Sequence, residues 1–257
     1  MEGSPYRIMT DTHTHLTEEP LISSIDKVIK RAKENGVDKF IVPGYNPDSW
    51  RKARKLASVY NEIFFAVGLH PMFIHEENRE IFEKELKQGG AIAVGEIGLD
   101  FYKSKTEKDE QIRVLENQLQ LAVDYDLPVI FHCRKAYDDL LKICKEFPQI
   151  KAVMHSCSCS SEQIKPFLEL GYYISFSGTI TKNRNLKVRK LAGVVPIEKM
   201  IVETDSPFIG TNNHPVPTVE PAHIPEIVES IAEIKGEAAD VISENAENNA
   251  KELFKLT

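Results

Sequence analysis

The chain has 257 residues, with 32 Lys and Arg against 39 Asp and Glu, which gives a formal net charge of −7. Hydrophobic residues make up 42% and charged residues 28% of the chain, a balance that excludes an intrinsically disordered protein. No apolar run approaches the roughly 20 residues of a membrane-spanning helix. The first residues also contain no apolar stretch of the kind found in secretory signals. We therefore expect a cytoplasmic globular protein without a membrane partner, and the acidic balance argues against a broad DNA-coating surface.

The four cysteines are Cys133, Cys144, Cys157 and Cys159. Because no secretory signal is predicted, a disulfide framework is not expected. Cys157 and Cys159 form a Cys-x-Cys pair, but one such pair without a second is a weak metal-binding pattern. We predict that both are reduced thiols beside a strand.

The chain alternates short apolar runs, typical of buried strands, with amphipathic stretches of helical period. The predicted strands begin near Tyr6, Val37, Ile63, Ala91, Leu127, Lys151, Gly171 and Lys199. Apolar residues have helical spacing from Ile22 to Ala32, after which Gly36 ends the helix, and from Ile112 to Ala122, before Pro128. The tail from Ile224 to Leu256 predicts two more helices.

Eight strands that each precede a helix, with no linker between them, predict a single α/β domain over residues 1–257. The architecture that fits this alternation is one (β/α)8 TIM barrel with extra C-terminal helices. An open, doubly wound sheet is the alternative. No Gly-rich phosphate-binding fingerprint follows the first predicted strand, which argues against that alternative.

Ligand-type and titratable side chains follow most of the predicted strands. The segments are Asp11-Thr12-His13-Thr14-His15-Leu16, Gly68-Leu69-His70-Pro71, Gly95-Glu96-Ile97-Gly98-Leu99-Asp100, Phe131-His132-Cys133-Arg134, Met154-His155-Ser156 and Glu203-Thr204-Asp205-Ser206-Pro207. In a TIM barrel the carboxyl ends of the strands converge on the mouth that holds the active site. Each residue alone also fits a structural role, such as a core histidine or a helix-capping carboxylate. Their joint occurrence at strand ends favours a metal site.

The residue types indicate how such a site would bind metal. His13 and His15, two apart in an extended strand, are expected to point to the same side and to bind one cation. Glu96 has two oxygens and can bridge two cations, while His132 and His155 supply nitrogen ligands to the second ion and Asp205 an oxygen to the first. So few protein ligands leave positions open for water, as catalytic sites require. Four histidines favour Zn, Mn, Co or Fe, with Mg as the alternative at cellular concentrations.

Three of these segments, Asp11–Leu16, Gly95–Asp100 and Glu203–Pro207, resemble the signature segments of the TatD family of metal-dependent hydrolases. The shorter segments match the family in order and spacing, so the resemblance covers nearly the whole chain. It implies an amidohydrolase-like TIM barrel with one or two divalent metal ions and deoxyribonuclease activity on phosphodiester bonds. It also implies one metal bound by His13, His15, Glu96 and Asp205, and another bound by Glu96, His132 and His155.

The chain departs from the family pattern in two segments. The family usually has His-Ser-Phe-Ser-Gly where this chain has His155-Ser156-Cys157-Ser158-Cys159. The family's Gly-Lys-Arg-Asn-Glu-Pro-Ala stretch appears only as Val219-Glu220-Pro221-Ala222. The missing Lys-Arg pair would contact a nucleic-acid backbone, so the departures concern the substrate rather than the metal.

We expect a DNase that cleaves DNA ends or single strands with a metal-activated water. Asp205 and Glu96 are the predicted catalytic residues, with Asp205 as the candidate proton acceptor. Arg134 and His70 are predicted substrate contacts, although a surface arginine and a packed histidine are about as well supported. Two alternatives are a metal-dependent ester or amide hydrolase, such as a D-aminoacyl-tRNA deacylase, and a non-catalytic metal-binding barrel. No obligate protein partner is indicated.

Overall fold

The computed structural model of the chain describes residues 8–256. These residues contain eight strands: β1 (Met9–Asp11), β2 (Val37–Pro43), β3 (Ile63–Val67), β4 (Ala91–Asp100), β5 (Val129–Arg134), β6 (Ala152–Met154), β7 (Tyr173–Phe176) and β8 (Met200–Val202). They also contain nine α-helices: α1 (Ile25–Glu34), α2 (Pro47–Val59), α3 (Arg79–Lys87), α4 (Lys108–Asp124), α5 (Tyr137–Glu146), α6 (Ser161–Glu169), α7 (Leu186–Val194), α8 (Ile224–Lys235) and α9 (Ala239–Phe254). The strand start predicted near Tyr6 lies outside the described residues.

The strands follow one another in chain order, from β1 to β8, in one sheet. The pairs are parallel, with Thr10 beside Lys39 in β1 and β2, and Val94 beside Val129 in β4 and β5. Parallel strands in chain order with intervening helices are the topology of a (β/α)8 barrel. The predicted fold is confirmed, with α8 and α9 as the C-terminal helices, and the doubly wound alternative is wrong.

The chain divides into two compact units. The first unit contains the chain up to Val42, Ser156–Glu162 and the chain from Tyr173 onward, and the second contains Pro43–His155 and Gln163–Tyr172. In the first unit, α9 packs against β1 and β8. In the second unit, α4 packs against β4 and buries Leu115 and Leu119. In each unit, a helix thus packs its apolar face against strands of the same unit.

Local sequence explains where several helices begin and end. A short 3-10 turn, Ile22–Ser24, precedes α1, and Gly36 follows that helix with a positive φ of 81°. Such a left-handed position is the usual place for glycine after a helix. The predicted stretch from Ile112 to Ala122 is the central part of α4. Within residues 8–256, no helix has the length and apolar character needed to cross a lipid bilayer.

Candidate metal centre

In the first unit, backbone hydrogen bonds join the segment after β1 to the segment after β8. The amide of His15 donates to the carbonyl oxygen of Ser206 at 2.8 Å, and the amide of Asp205 donates to that of His13 at 2.8 Å. The hydroxyl oxygens of Thr14 and Ser206 are 2.9 Å apart. These contacts place the side chains of His13, His15 and Asp205 next to one another.

The predicted extended geometry of the His-x-His pair is wrong. Strand β1 ends at Asp11, and His13 and His15 lie in the irregular segment that follows. Here the carbonyl of His13 and the amide of His15 bond to the segment after β8, while the amide of Thr14 donates to Ile41 of β2 at 3.0 Å. The two imidazole rings nevertheless meet, with their centroids 5.1 Å apart and their planes at 71°.

The ring nitrogens of this pair face one carboxylate oxygen. Asp205 Oδ1 lies 3.2 Å from His15 Nε2 and 3.9 Å from His13 Nε2. All three residues are at least 93% buried, with exposures of 0%, 4% and 7% for His13, His15 and Asp205. The ring of Phe208 packs at 4.9 Å from the ring of His15. Two imidazole nitrogens and a carboxylate oxygen form a donor set suited to a divalent transition metal.

Asp11 supports this arrangement from the end of β1, a role that the sequence did not predict. Its side chain is fully buried and accepts hydrogen bonds from Thr204 and from the amide of His13. Burial raises the pKa of the Asp11 carboxyl to about 7, although these hydrogen bonds oppose the rise. The only sequence signal was its place in the same segment as His13.

In the second unit, an irregularity in β4 directs the side chain of Glu96. The register of β4 against β5 shifts between Gly95 and Ile97, and the amide of Glu96 bonds to the carbonyl oxygen of Gly44 at 2.8 Å. A bulge of this kind re-aims the side chain of the extra residue. Gly98 has a φ of 148°, and a Cβ there would collide with the carbonyl oxygen of His132. Glycine therefore allows β4 and β5 to approach closely beside the site.

Three histidines of the second unit converge on one oxygen of Glu96. The distances to Glu96 Oε1 are 2.9 Å from His132 Nδ1, 3.5 Å from His155 Nε2 and 3.6 Å from His70 Nε2. His70, Glu96 and His132 each offer one ligand atom, and these atoms lie within 4.8 Å of one another. The second unit thus brings together every site residue that the sequence predicted there except Arg134.

Protonation separates the roles of the histidines. Burial lowers the pKa of His70 to about 3, so its imidazole is neutral. The amide of Met72 donates to His70 Nδ1 at 3.1 Å, which leaves the ring proton on Nε2, the atom that faces Glu96. Burial also disfavours the charged form of His132, but hydrogen bonds to Asp100 and Glu96 outweigh it and raise the pKa of His132. His70 is therefore a hydrogen-bond donor, whereas His132 is held between two carboxylates.

Asp100 is the partner of His132 that the sequence did not identify. Its Oδ2 lies 3.2 Å from His132 Nε2, and its side chain is almost completely buried. Burial works against ionisation, but hydrogen bonds from His132 and from the amides of Lys103 and Tyr102 outweigh it and lower the pKa of Asp100. A carboxylate behind a ligand-type histidine fixes the orientation of its ring. The signal was present in the sequence, because Asp100 ends the segment that contains Glu96.

The remaining predicted residues have partners other than the ligand-type side chains of the two clusters. Arg134 is the last residue of β5, and its guanidinium carbon lies 4.4 Å from the centroid of the Tyr102 ring. The sulfur atoms of Cys157 and Cys159 are 3.5 Å apart and buried. In the described part of the chain, no group of three ligand-type residues includes a cysteine.

Comparison with known proteins identifies the family. The chain matches the family described as TatD related DNase over residues 10–255. The chain belongs to this family. Its TatD-family relatives include YjjV of Escherichia coli K12, named as an uncharacterized metal-dependent hydrolase, which is 33% identical over 96% of this chain and 97% of its own length. TatD of the same strain, named as a 3′-5′ ssDNA/RNA exonuclease, is 30% identical over 96% of this chain and 98% of its own length.

A solved structure supports the same assignment. The crystal structure of YjjV from Escherichia coli K12 matches this chain with a TM-score of 0.92 at 32% identity, over 97% of this chain and 98% of that one. This TatD-family chain is thus a metal-dependent hydrolase with a TIM-barrel fold. The imidazole and carboxylate donors found in each unit fit the divalent metal that such a hydrolase uses.

Proposed function

We propose that this TatD-family chain hydrolyses phosphodiester bonds of DNA, at strand ends or in single strands. The observation that supports the proposal best is the convergence of His70, His132 and His155 on a single Glu96 oxygen. A core histidine needs one acceptor and one donor partner of its own and does not need to share them, so three imidazoles around one buried carboxylate oxygen fit a cation better than packing. The name of the TatD relative, a 3′-5′ ssDNA/RNA exonuclease, directs the proposal to nucleic acid.

The ligands that we propose follow the two clusters. In the first unit they are His13, His15 and Asp205, and in the second unit Glu96, His132 and His155. A bound divalent ion supplies Lewis acidity, which lowers the pKa of water and polarises a phosphoryl oxygen. The second role predicted for Glu96, as a ligand of the first ion, stays a prediction, as does the presence of two ions.

The other side chains supply proton transfer and positioning. Asp205 accepts the proton of the attacking water, because a carboxylate within reach of the nucleophile is a suitable general base. His70 donates a hydrogen bond from its Nε2–H to a phosphoryl oxygen or to the leaving oxygen without losing the proton, in keeping with its neutral state. Arg134 binds a phosphate through its planar guanidinium. Asp100 keeps the ring of His132 in place and does not itself contact the substrate.

The test compares two histidines of the second unit, one in the proposed metal centre and one on the surface. His155→Ala removes a proposed ligand, whereas His75→Ala removes a histidine whose side chain is 71% exposed. The purified full chain is stripped of metal and reloaded with Mg, Mn, Co, Fe or Zn. Hydrolysis of end-labelled single-stranded and duplex DNA is then measured together with bound metal per chain. We expect metal-dependent cleavage by the wild type and by His75→Ala, and loss of both cleavage and bound metal in His155→Ala.

The alternative chemistry is an arm of the same experiment. A D-aminoacyl-tRNA is offered to each metal-loaded enzyme under the same conditions. Turnover of that ester without cleavage of DNA would replace the nuclease proposal with ester hydrolysis at the same centre. Failure of every metal to support either reaction would overturn the proposal in favour of a non-catalytic barrel.

A further inference from the structure

An exposed aromatic ring lies beside a guanidinium at the carboxyl ends of β4 and β5. Tyr102 follows β4 directly after Phe101 and is 63% exposed. The guanidinium carbon of Arg134 lies 4.4 Å from the centroid of its ring. The two positions are neighbours because Arg134 pairs with Asp100 in the register of the two strands. Among residues 8–256, Arg134 forms no ion pair with a carboxylate, so no acidic side chain there neutralises its charge.

The loop that contains Tyr102 is fixed to the candidate metal centre. Asp100 Oδ1 accepts hydrogen bonds from the amides of Tyr102 at 2.9 Å and Lys103 at 2.7 Å, while its Oδ2 lies 3.2 Å from His132 Nε2. The hydroxyl of Ser104 donates to the carbonyl oxygen of Pro71 at 2.8 Å. One carboxylate therefore orients both a proposed metal ligand and the turn that presents the tyrosine.

Basic side chains lie next to Tyr102 in the sequence, although the chain as a whole has a net charge of −7. Lys103 and Lys105 are exposed in the same loop, and Lys135 is exposed directly after Arg134. The segment from Phe101 to Thr106 contains no acidic residue, and Asp100 and Glu107 flank it. Lys108 places its ammonium group 4.4 Å from the centroid of the Phe101 ring. Aromatic rings interleaved with basic side chains are the pattern of surfaces that bind single-stranded nucleic acid.

We propose that the ring of Tyr102 stacks an unpaired base of single-stranded nucleic acid, while Arg134 contacts a phosphate of the same strand. This inference rests on the proposed nuclease function and adds to it the residue that selects unpaired strands. A base within a duplex has neighbours on both faces and cannot present a face to the tyrosine. Stacking needs only a π-face, so the subsite accepts any base and depends little on the sequence.

The test separates base contacts from backbone contacts. The probes are a labelled twelve-residue strand of thymidines and a strand of the same length made of abasic residues. Binding to the metal-free full chain in EDTA is followed by fluorescence anisotropy, with the wild type, Tyr102→Leu and Tyr102→Phe. Tyr125→Leu is the matched control, because Tyr125 is a half-buried tyrosine that precedes β5, the strand that ends at Arg134.

We expect Tyr102→Leu to weaken binding of the thymidine strand by roughly 5- to 100-fold, the range of one lost base stack. Tyr102→Phe keeps the ring and should bind like the wild type, as should Tyr125→Leu. The abasic strand should bind equally to the wild type and to Tyr102→Leu, whereas Arg134→Gln should weaken binding of both strands. Equal weakening of both strands by Tyr102→Leu, or no weakening of either, would overturn the proposal.

Binding and cleavage fail independently in this design. If no metal supports cleavage but Tyr102→Leu still loses only the base-dependent binding, the nuclease function falls and the stacking site stands. If the wild type cleaves the thymidine strand but binds it no better than the abasic strand, the nuclease function stands and the stacking site falls. Thermal unfolding of each variant identifies any loss of fold, and Tyr102→Phe keeps the test valid if Tyr102→Leu is unstable.

Discussion

Asp11 accepts two hydrogen bonds from Thr204, one from its amide at 2.9 Å and one from its hydroxyl at 2.5 Å. The two residues are 193 positions apart in the chain: Asp11 ends β1, and Thr204 lies two residues after the end of β8. His13 follows Asp11 by two residues and Asp205 follows Thr204 by one, so this pair fixes the spacing between two proposed ligands. The buried carboxylate of Asp11 therefore positions the backbone that precedes the proposed ligands and does not itself contact the substrate.

Asp11→Asn is expected to remove a fall in the free energy of unfolding between about pH 4 and about pH 7. Burial raises the pKa of Asp11 from 3.8 to about 7, so the folded protein loses stability as the pH rises through this range and the carboxyl ionises. Urea denaturation of the metal-free wild type and variant across this range measures the difference between their pH profiles. Asp26→Asn, an exposed position in the first turn of α1, is the control and should keep the pH profile of the wild type. The same fall in Asp11→Asn as in the wild type would contradict the raised pKa of Asp11.

Cys144 is expected to be unreactive in the folded protein. The residue lies on α5, is 1% exposed, and burial raises the pKa of its thiol to about 12. Since only the thiolate is nucleophilic, alkylation at pH 8 should be about 1000-fold slower in the native protein than in denaturant. Timed iodoacetamide labelling with peptide mass analysis measures the rate at this residue. A native rate close to the denatured rate would show that the thiol is accessible and ionised.

Local patterns predicted the elements of the fold better than the geometry of the site. The apolar spacing from Ile112 to Ala122 identified the centre of α4, and the strand predicted at Ala91 begins there in the structure. The extended geometry of His13 and His15 was wrong because their backbone bonds to the segment near Ser206, and no local pattern contains that partner. The contact between Asp100 and His132 was missed for the same reason, since it depends on strand register.

Several predictions from the sequence concern properties other than the fold. Three of them stay predictions. They are the extent of a single domain over the whole chain, the roles of His70 and Arg134 as substrate contacts, and the cytoplasmic location. The candidate site residues were predicted from residue type and from position after strands, both of which are local properties. The supporting carboxylates, Asp11 and Asp100, differ from helix-capping aspartates only in their tertiary partners. A local sequence pattern therefore does not distinguish the two roles.

The double variant Cys157→Ser/Cys159→Ser is expected to bind as much metal as the wild type. The two sulfur atoms are 3.5 Å apart, and no group of three ligand-type residues in residues 8–256 includes either cysteine. Metal analysis of the double variant beside His155→Ala measures the difference. Loss of metal equal to that of His155→Ala would make the cysteines ligands and the proposed ligand set wrong.

His15→Ala is expected to lose bound metal and hydrolytic activity while the protein stays folded. Its Nε2 lies 3.2 Å from Asp205 Oδ1, so the variant removes one donor and leaves the carboxylate in place. Metal content and turnover are measured on one preparation, with His75→Ala as the control. His13→Ala should behave in the same way. Full activity with unchanged metal content in either variant would exclude that histidine from the site.

Asp205→Asn is expected to abolish turnover far more completely than it weakens substrate binding. Asparagine is nearly isosteric, keeps one carbonyl oxygen towards His15, and tolerates the left-handed backbone of Asp205, whose φ is 53°. It cannot accept a proton from the attacking water, so the turnover rate should fall by roughly 10²–10⁴-fold while KM changes little.

The competing explanation for Asp205 is a structural role in the turn before Pro207. That turn is closed by the backbone carbonyl oxygen of Asp205, which accepts the amide of Phe208 at 2.8 Å and that of Ile209 at 3.1 Å. Both hydrogen bonds survive in Asp205→Asn, so the thermal midpoint should stay close to that of the wild type. Turnover, metal content and thermal midpoint are measured on the same preparation. A variant that is less stable yet fully active per folded molecule would refute the catalytic role, because a lost general base lowers the rate of molecules that remain folded.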